Sequence, residues 1–312
     1  MAVDVDRHAR AGVARALERV RPLAPAARWV DPEKLHLTLQ FLGTVDDGQL
    51  PALRVALEDA AALGADFPLR LAGAGTFGRP ASPSVLWLGA KDGAPELSLL
   101  ARWLGERLSA LGFPPDERPY VPHLTIARAA GRHGEPALQG CASALSSLGL
   151  DVFRVEQLQL VETLADGRYA QLLAARLPSW RFLPHTAEVQ LELEDGTLAG
   201  VLAAAARGFC ELVLGEPPAW DAPGQQHAVV AEGADPAALL VAFLDELVYL
   251  ADTTRGVPAR ARIHEASAGR LRAEVTVLPA SQIKTAVKAA TLHGALCEQR
   301  AGAWRGKVVL DV

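Results

Sequence analysis

Cysteine is scarce in this chain of 312 residues, which contains three, at positions 141, 210 and 297. No two of them are close in sequence, and this argues against both a disulfide scaffold and a zinc cluster, which need closely spaced pairs. We expect Cys141, Cys210 and Cys297 to be small buried side chains.

An excess of positive charge and a long apolar run are also missing. The chain has 31 Lys and Arg against 36 Asp and Glu, a formal net charge of -5. This balance argues against a large surface that follows nucleic-acid phosphates, so any nucleic-acid contact should be local, such as one end of a strand. The most apolar stretches, 198–213 and 237–250, are interrupted by charged residues. The opening ten residues carry acids where a secretory signal needs apolar residues, so we predict a cytoplasmic protein without a membrane partner.

Apolar periodicity divides the chain into two regions, 1–178 and 181–312, that meet at Pro178-Ser179. The first region consists of two similar units, each with a helix, a strand bearing His-x-Thr, a second helix and a further strand. This order predicts a two-lobed, pseudo-symmetric α+β domain. After residue 180 the pattern restarts with alternating strands and helices and closes with four strand-like runs, which predicts a smaller α+β domain.

The first His-x-Thr lies in "EKLHLTLQFLG", residues 33–43. Successive side chains of a strand point to opposite faces. The alternation therefore assigns one set to the core (Leu35, Leu37, Leu39, Phe41) and the other set to the opposite face (His36, Thr38, Gln40). The apolar set predicts a strand over 35–42 that is buried on one side.

The second His-x-Thr lies in "RPYVPHLTIAR", residues 118–128, where His123 shares a face with Thr125. A single His-x-Thr in a strand is common by chance, but two at matching places in two similar units favour a function. A pseudo-twofold relation between the units would bring both pairs to one cleft. Trp87 and Tyr120 could stack on a terminal base, although ordinary packing is the simpler expectation.

Two facing imidazoles suit acid–base chemistry at phosphorus. With an ordinary pKa near ~6.5, one ring can be neutral and the other protonated around neutral pH, which supplies a base and an acid without a metal. Threonine hydroxyls can donate to the non-bridging oxygens of a phosphate. Arg118 and Arg128 flank the second motif and could add a guanidinium clamp for the same phosphate.

With "LHLTLQFLG" and "PHLTIAR" in these contexts, residues 1–178 resemble the two-histidine phosphoesterase superfamily, and within it the RNA 2′,3′-cyclic phosphodiesterases, also described as 2′-5′ RNA ligases. The resemblance implies opening of a terminal 2′,3′-cyclic phosphate to a 2′-phosphate, with no cofactor. By this resemblance His36 protonates the departing 3′ oxygen and His123 activates water, while Thr38 and Thr125 hold the phosphate.

Residues from about 181 onward resemble archease, the activator of an RNA-splicing ligase, through "FLPHTAEVQLEL", "KTAVKAATLHG" and the terminal "WRGKVVLDV". The resemblance implies a Ca²⁺ or Mg²⁺ site, whose matching positions are Glu188, Asp311 and the carboxylate of Val312. Glu188 departs from the family's Asp by one methylene. Lys288 and His293 match further family positions.

Three functions remain open from the sequence. The first is a metal-independent cyclic phosphodiesterase on RNA ends, tRNA-like ones included, joined to a module that activates an RNA-splicing ligase in tRNA splicing or RNA repair. The second is an accessory protein that binds RNA ends and activates the ligase without turnover. The third is a phosphodiesterase for another cyclic or 2′-5′ nucleotide.

Overall fold

A computed structural model describes residues 1–131, 134–164, 169–185, 188–279 and 283–312, and the side chains of these except those of residues 184 and 185. The chain divides into two compact units, Met1–Ala60 with Asp66–Ala175, and Ala61–Ala65 with Arg176–Val312. Both units mix helices and strands, so the expected α+β class is confirmed. Within the described ranges no helix is long and apolar enough to cross a membrane.

The strands of the first region form one sheet. They are β1 (Ala2–Asp4), β2 (Arg28–Trp29), β3 (His36–Thr38), β4 (Phe67–Arg79), β5 (Ser82–Asp92), β6 (His123–Arg128), β7 (Phe153–Val155), β8 (Gln157–Thr163) and β9 (Tyr169–Arg176). Their order across the sheet is β7-β4-β5-β6-β3-β1-β8-β9, and β2 also pairs with β6. The two strands with His-x-Thr, β3 and β6, are therefore neighbours near the middle of the sheet.

The helices of this region cover the sheet with apolar faces. They are α1 (Arg7–Val20), α2 (Leu50–Ala62), α3 (Ala94–Ala110) and α4 (Ala137–Ala144). The side chain of Asp6 caps α1 by accepting a hydrogen bond from the Ala9 N–H at 2.6 Å. Leu97, Leu104 and Leu108 of α3 recur at helical spacing and are fully buried. This packing leaves the other face of the sheet to carry the polar side chains of β3 and β6.

The prediction of a strand over 35–42 is wrong at its end, because β3 stops at Thr38. The alternation therefore does not extend to Phe41, which is 75% exposed instead of lying in the core. Gln40, expected on the polar face, is buried, and its side-chain amide donates to the Phe113 carbonyl at 2.8 Å. A continuing strand would have placed both residues as predicted. The turn after Thr38 exchanges their environments.

The second region forms two sheets and two helices, α5 (Leu198–Leu214) and α6 (Pro236–Thr254). The four-stranded sheet has the order β10-β11-β16-β15, and its strands are β10 (Ser179–His185), β11 (Glu188–Asp195), β16 (Ala303–Asp311) and β15 (Ala289–Arg300). The three-stranded sheet has the order β12-β14-β13, with β12 (Gln225–Glu232), β14 (Arg270–Pro279) and β13 (Gly256–Ala266). Sequence periodicity missed β10. One buried core, with Phe209 and Phe243 among its largest side chains, joins both helices to the sheets.

Candidate active site

The centre of the site is the contact between β3 and β6, which run antiparallel with Leu37 opposite Leu124. Both leucines are completely buried. They define the core face of the two strands. Continuing this register by one residue in each direction places His36 opposite Thr125 and Thr38 opposite His123, since antiparallel partners run in opposite senses.

Because successive side chains alternate, these four polar side chains lie on the face opposite Leu37 and Leu124. Opposite Cα atoms of an antiparallel pair are about 4.5–5.5 Å apart, so the two His-x-Thr pairs are immediate neighbours. The arrangement has an approximate twofold axis through the leucine pair. The structure thus brings His36, Thr38, His123 and Thr125 together on one surface.

Each histidine is oriented by the same main-chain contact. Nδ1 of His36 is 2.9 Å from the Lys34 carbonyl oxygen, and Nδ1 of His123 is 2.7 Å from the Val121 carbonyl oxygen. A carbonyl oxygen only accepts, so each ring donates from Nδ1. The hydrogen bond fixes the ring and its tautomer. Nε2 is then left on each ring to accept or carry the proton that moves in a reaction.

Burial lowers the pKa of both histidines, and their neighbours differ. For His36 burial is the largest cause; the Lys34 hydrogen bond and Asp4 raise its pKa, whereas the N-terminal ammonium and Arg10 lower it. For His123 burial is again the largest cause, the Val121 hydrogen bond raises its pKa, and Arg128 lowers it. A guanidinium close to His123 disfavours its protonated form, which suits a neutral base.

An aromatic wall stands beside His123. Trp87 of β5 lies opposite Thr125 in the β5–β6 register and therefore faces the same side. The Phe77 ring meets His123 edge-on at 4.8 Å between centroids, and Trp87 lies 6.1 Å from His123 and 5.3 Å from Phe77. The wall depends on Gly75, opposite Trp87, because a Cβ there would stand 2.3 Å from the indole ring.

On the other side of the site, the ring of Tyr169 meets His36 edge-on at 5.1 Å, and Tyr169 is 40% exposed. The sequence patterns do not predict Tyr169 or Phe77 as neighbours of the histidines. A weak signal existed for Phe77, since it follows Gly75 by two residues and shares its face. No local signal pointed to Tyr169, because its contact depends on the position of β9.

Arg128 lies on the same face as the histidines, because of a bulge in β6. Leu86 pairs with Ala127 while the next residue, Trp87, pairs with Thr125, so β6 has one extra residue, Ile126. Ile126 and Ala127 are consecutive and both fully buried. The bulge thus reverses the alternation and returns Arg128, which is exposed, to the face of Thr125.

Arg118 is placed differently. Its side chain is 84% exposed and forms an ion pair with Asp116, with 2.6 Å between Nη2 and Oδ2. The same two residues share a second side-chain hydrogen bond, from Nε to Oδ1 at 3.0 Å. In this state the guanidinium of Arg118 binds a carboxylate.

The positions expected to hold a metal lie in the second unit. Glu188 of β11 stands directly opposite Asp311 of β16. The ammonium of Lys288 donates to the main-chain oxygen of Val312 at 3.0 Å and lies 3.8 Å from Asp311 Oδ1. Residues 186 and 187 of the His-Thr-Ala motif, and the side chain of His185, are outside the described residues.

These donors fit a hard divalent cation in type, since they are carboxylate and main-chain oxygens. One positive charge, the Lys288 ammonium, already lies beside the two carboxylates of Asp311 and Val312. In the part of the chain that the structure describes, no three His, Cys, Asp or Glu side chains are grouped to hold a metal. A cation held by Glu188, Asp311 and Val312 would compete with the Lys288 ammonium for oxygens of Asp311 and Val312.

Paired His-x-Thr strands at the centre of an α+β sheet define the two-histidine phosphoesterase class. Residues 8–167 match the family model of the 2′-5′ RNA ligase superfamily, and residues 180–312 match that of the Archease protein family. The chain belongs to the 2′-5′ RNA ligase superfamily and carries an archease domain after that part.

Individual relatives match the first region. A protein of Geobacillus stearothermophilus named RNA 2′,3′-cyclic phosphodiesterase is 37% identical over 163 residues, 52% of this chain and 51% of that protein. The chain therefore spans about half the length of this relative. A protein of the same name from Methanothermobacter thermautotrophicus is 34% identical over 161 residues, 51% of this chain and 86% of its own. The structure of E. coli LigT aligns with 56% of this chain and 94% of its own length, at 27% identity and a TM-score of 0.45.

Proposed function

We propose that the first region hydrolyses RNA 2′,3′-cyclic phosphate ends to 2′-phosphomonoesters through a His36/His123 acid–base pair that needs no metal. The observation that supports this proposal is the matching orientation of the two imidazoles on neighbouring strands, each donating from Nδ1 to the carbonyl two residues earlier. The names of the relatives supply the substrate class.

In the proposed reaction, Nε2 of His123 removes a proton from water as the water oxygen attacks phosphorus. The bond from phosphorus to the 3′ oxygen breaks, and His36 gives its Nε2 proton to that oxygen. The products are a 2′-phosphomonoester and a free 3′ hydroxyl. Each turnover leaves His123 protonated and His36 neutral, and exchange with solvent restores both.

The remaining side chains of the site stabilise the charge on phosphorus. The hydroxyls of Thr38 and Thr125 donate to its non-bridging oxygens, and removal of one such donor typically costs about 10²–10³ in kcat. Arg128, on the same face, adds a guanidinium for the same oxygens. Arg118 contributes only after it releases Asp116, which makes it the weaker member of the expected clamp.

The testing experiment uses a short RNA with a 2′,3′-cyclic phosphate, in EDTA, with wild type, His36→Ala and His123→Ala. We expect wild type to form the 2′-phosphate and each variant to lose about 10²–10⁴ in rate while still binding the RNA end. Unchanged turnover in either variant would contradict the acid–base pair. RNA-end binding by wild type without any turnover would instead support an accessory binding protein.

A second substrate assigns the two roles. Replacing the bridging 3′ oxygen by sulfur gives a leaving group that needs little protonation, since thiols are more acidic than alcohols. The His36→Ala variant should recover most of its rate with this substrate, whereas His123→Ala should not, because water still needs a base. Equal recovery in both variants would show that the roles have been assigned wrongly.

For the second region we propose activation of an RNA-splicing ligase in tRNA splicing or RNA repair, in a cytoplasmic protein. The support is the match of residues 180–312 to the Archease protein family. A 2′-phosphate is a poor end for a ligase that joins cyclic phosphates, so the two activities compete for the same RNA. The test adds the full chain with both histidines changed to alanine, which leaves cyclic ends intact, to the ligase. An increase in multiple turnover by the ligase supports the proposal. If the ligase is not stimulated in the presence of either Ca²⁺ or Mg²⁺, the proposal is refuted.

We also propose that Glu188, Asp311 and Val312 hold a Ca²⁺ or Mg²⁺ ion in this region. The opposition of Glu188 and Asp311 in the strand register supports the proposal. Because Lys288 binds the same oxygens, we expect cation binding to compete with this ammonium.

A further inference from the structure

We infer that Arg28 and Arg128 form a subsite for the internucleotide phosphate immediately upstream of the cyclic end. The preferred substrate is then an RNA of at least two nucleotides and not a small cyclic nucleotide. This inference rests on the proposed function and deepens it, because the subsite defines how much RNA the enzyme recognises.

The two arginines stand opposite each other. Arg28 of β2 pairs with Arg128 of β6, and the next pair is Trp29 with Ala127. Opposite residues of an antiparallel pair share a face, with Cα atoms about 4.5–5.5 Å apart. Ala127 is fully buried, whereas Arg28 and Arg128 are both exposed. The two guanidiniums therefore project together from the face that carries the histidines.

The subsite lies at a defined end of the catalytic site. Strand β6 has β5 along one edge, where Val85 pairs with Arg128. Because that edge is taken, β2 lies along the other edge of β6. Strand β3 pairs with the same edge at Leu124. Going along β6, Arg28 and Arg128 come after Thr125 and its neighbour His36. The backbone of Arg28 and Arg128 is thus nearer to that of His36 and Thr125 than to that of His123, while the Arg128 guanidinium reaches back far enough to lower the pKa of His123.

This end is where the rest of the RNA belongs. In the proposed reaction His36 protonates the 3′ oxygen, and that oxygen remains on the terminal ribose. The terminal nucleoside must therefore lie on the His36 side of phosphorus. Its 5′ oxygen carries the next phosphate of the strand, and a 2′,3′-cyclic mononucleotide has no such group. The arginine pair is placed to receive this phosphate, with Arg28 as its principal ligand because Arg128 also serves the reacting phosphate.

The charges of the pair support an anion partner. Like charges directly opposite each other in a sheet are destabilising. Among the residues that the structure describes, neither guanidinium forms an ion pair. The Arg28 guanidinium makes one hydrogen bond there, a 3.3 Å donation from Nη2 to the Ala129 carbonyl. Guanidiniums bind phosphate oxygens through short charge-assisted hydrogen bonds. A phosphate between them would replace repulsion with two attractive contacts.

The test compares three substrates: a 2′,3′-cyclic mononucleotide, a dinucleotide with the same cyclic end, and that dinucleotide with a neutral methylphosphonate linkage. For wild type we expect kcat/KM on the charged dinucleotide to exceed both others by about tenfold, from a charged hydrogen bond. Arg28→Gln should abolish this advantage through KM and leave mononucleotide turnover unchanged. Arg28→Lys should keep part of it. Arg19→Gln, an exposed arginine of α1, is the matched control and should change nothing.

Salt provides a second measurement. Loss of one phosphate contact should reduce the slope of log(1/KM) against log salt for the charged dinucleotide by about 0.7 in Arg28→Gln. The inference is overturned if wild type treats the three substrates alike, or if Arg28→Gln lowers turnover of all three equally. Absence of turnover on every substrate by wild type would overturn the proposed function itself, so the two failures are distinguishable.

Discussion

Leu37 of β3 stands directly opposite Leu124 of β6, and both side chains are fully buried. This apolar contact sets the register of the two strands. A slip of one residue in either strand would turn that strand's histidine toward the core, since a strand has a period of two. The position of the two histidines therefore depends on two leucines that face away from them.

The first prediction concerns this contact. Leu124→Ala should leave a cavity between the strands and lower the free energy of unfolding by about 2–5 kcal/mol. Because the chain has two units, native-state hydrogen exchange at the amides of β3 and β6 is the suitable measurement. Val55→Ala, at a 57% exposed position of α2, is the control and should cost less than about 0.5 kcal/mol. An equal loss in both variants would contradict the assigned role of the leucine pair.

The second prediction concerns pH. Burial lowers the pKa of both histidines in the free protein, so kcat/KM should give a bell-shaped profile with its optimum below the ordinary histidine pKa of about 6.5. The acidic limb reports protonation of His123, and the alkaline limb reports deprotonation of His36. The bound phosphate anion favours both protonated rings, so the kcat profile should lie at higher pH than that of kcat/KM.

Arg128→Gln extends the pH prediction. Removing the guanidinium raises the pKa of His123, so the acidic limb should move to higher pH while the alkaline limb stays in place. Arg19→Gln serves as the control for a general loss of charge. A profile that moves as a whole in Arg128→Gln, or not at all, would show that Arg128 does not act on His123.

The third prediction concerns the aromatic wall. In Gly75→Ala the new Cβ would stand 2.3 Å from the Trp87 ring, so the indole must move and its contact with His123 changes. We expect kcat/KM to fall and stability to decrease by about 1–3 kcal/mol. Gly149→Ala, whose Cβ would meet no atom within 4 Å, is the matched control. Trp87→Phe in the Gly75→Ala background should recover part of the rate. If neither Gly75→Ala nor this double variant changes turnover, the aromatic wall plays no part in the reaction.

The fourth prediction concerns Lys288. If the proposed cation site exists, Lys288→Ala leaves the oxygens of Asp311 and Val312 without their ammonium and should strengthen Ca²⁺ or Mg²⁺ binding. The thermal midpoint should then rise more with added cation in Lys288→Ala than in wild type. At a cation concentration a hundredfold above Kd, binding stabilises the folded state by up to about 2.7 kcal/mol. Adding Glu188→Gln should cancel this rise. Identical shifts in all three proteins would contradict a site at these residues.

Much of the site could be predicted from local patterns. The spacing of His36 to Thr38 and of His123 to Thr125 placed each pair on one face, because alternation is a property of a single strand. Alternation failed where the strand ended: Gln40 is buried and Phe41 is exposed because the chain turns after Thr38. The end of a strand depends on which partner is available, and periodicity carries little information about that.

The sequence by itself determined the residue types of the chemistry, the two repeated motifs and the α+β class, since these follow from composition and from periods of 2 and 3.6 residues. Only the tertiary structure decided that β3 and β6 are neighbours, that a bulge at Ile126 returns Arg128 to the site, and that Phe77 and Tyr169 flank the two histidines. Strand order and register are set by burial of side chains far apart in the chain. The positions of groups on neighbouring strands therefore became known only once the whole sheet was packed.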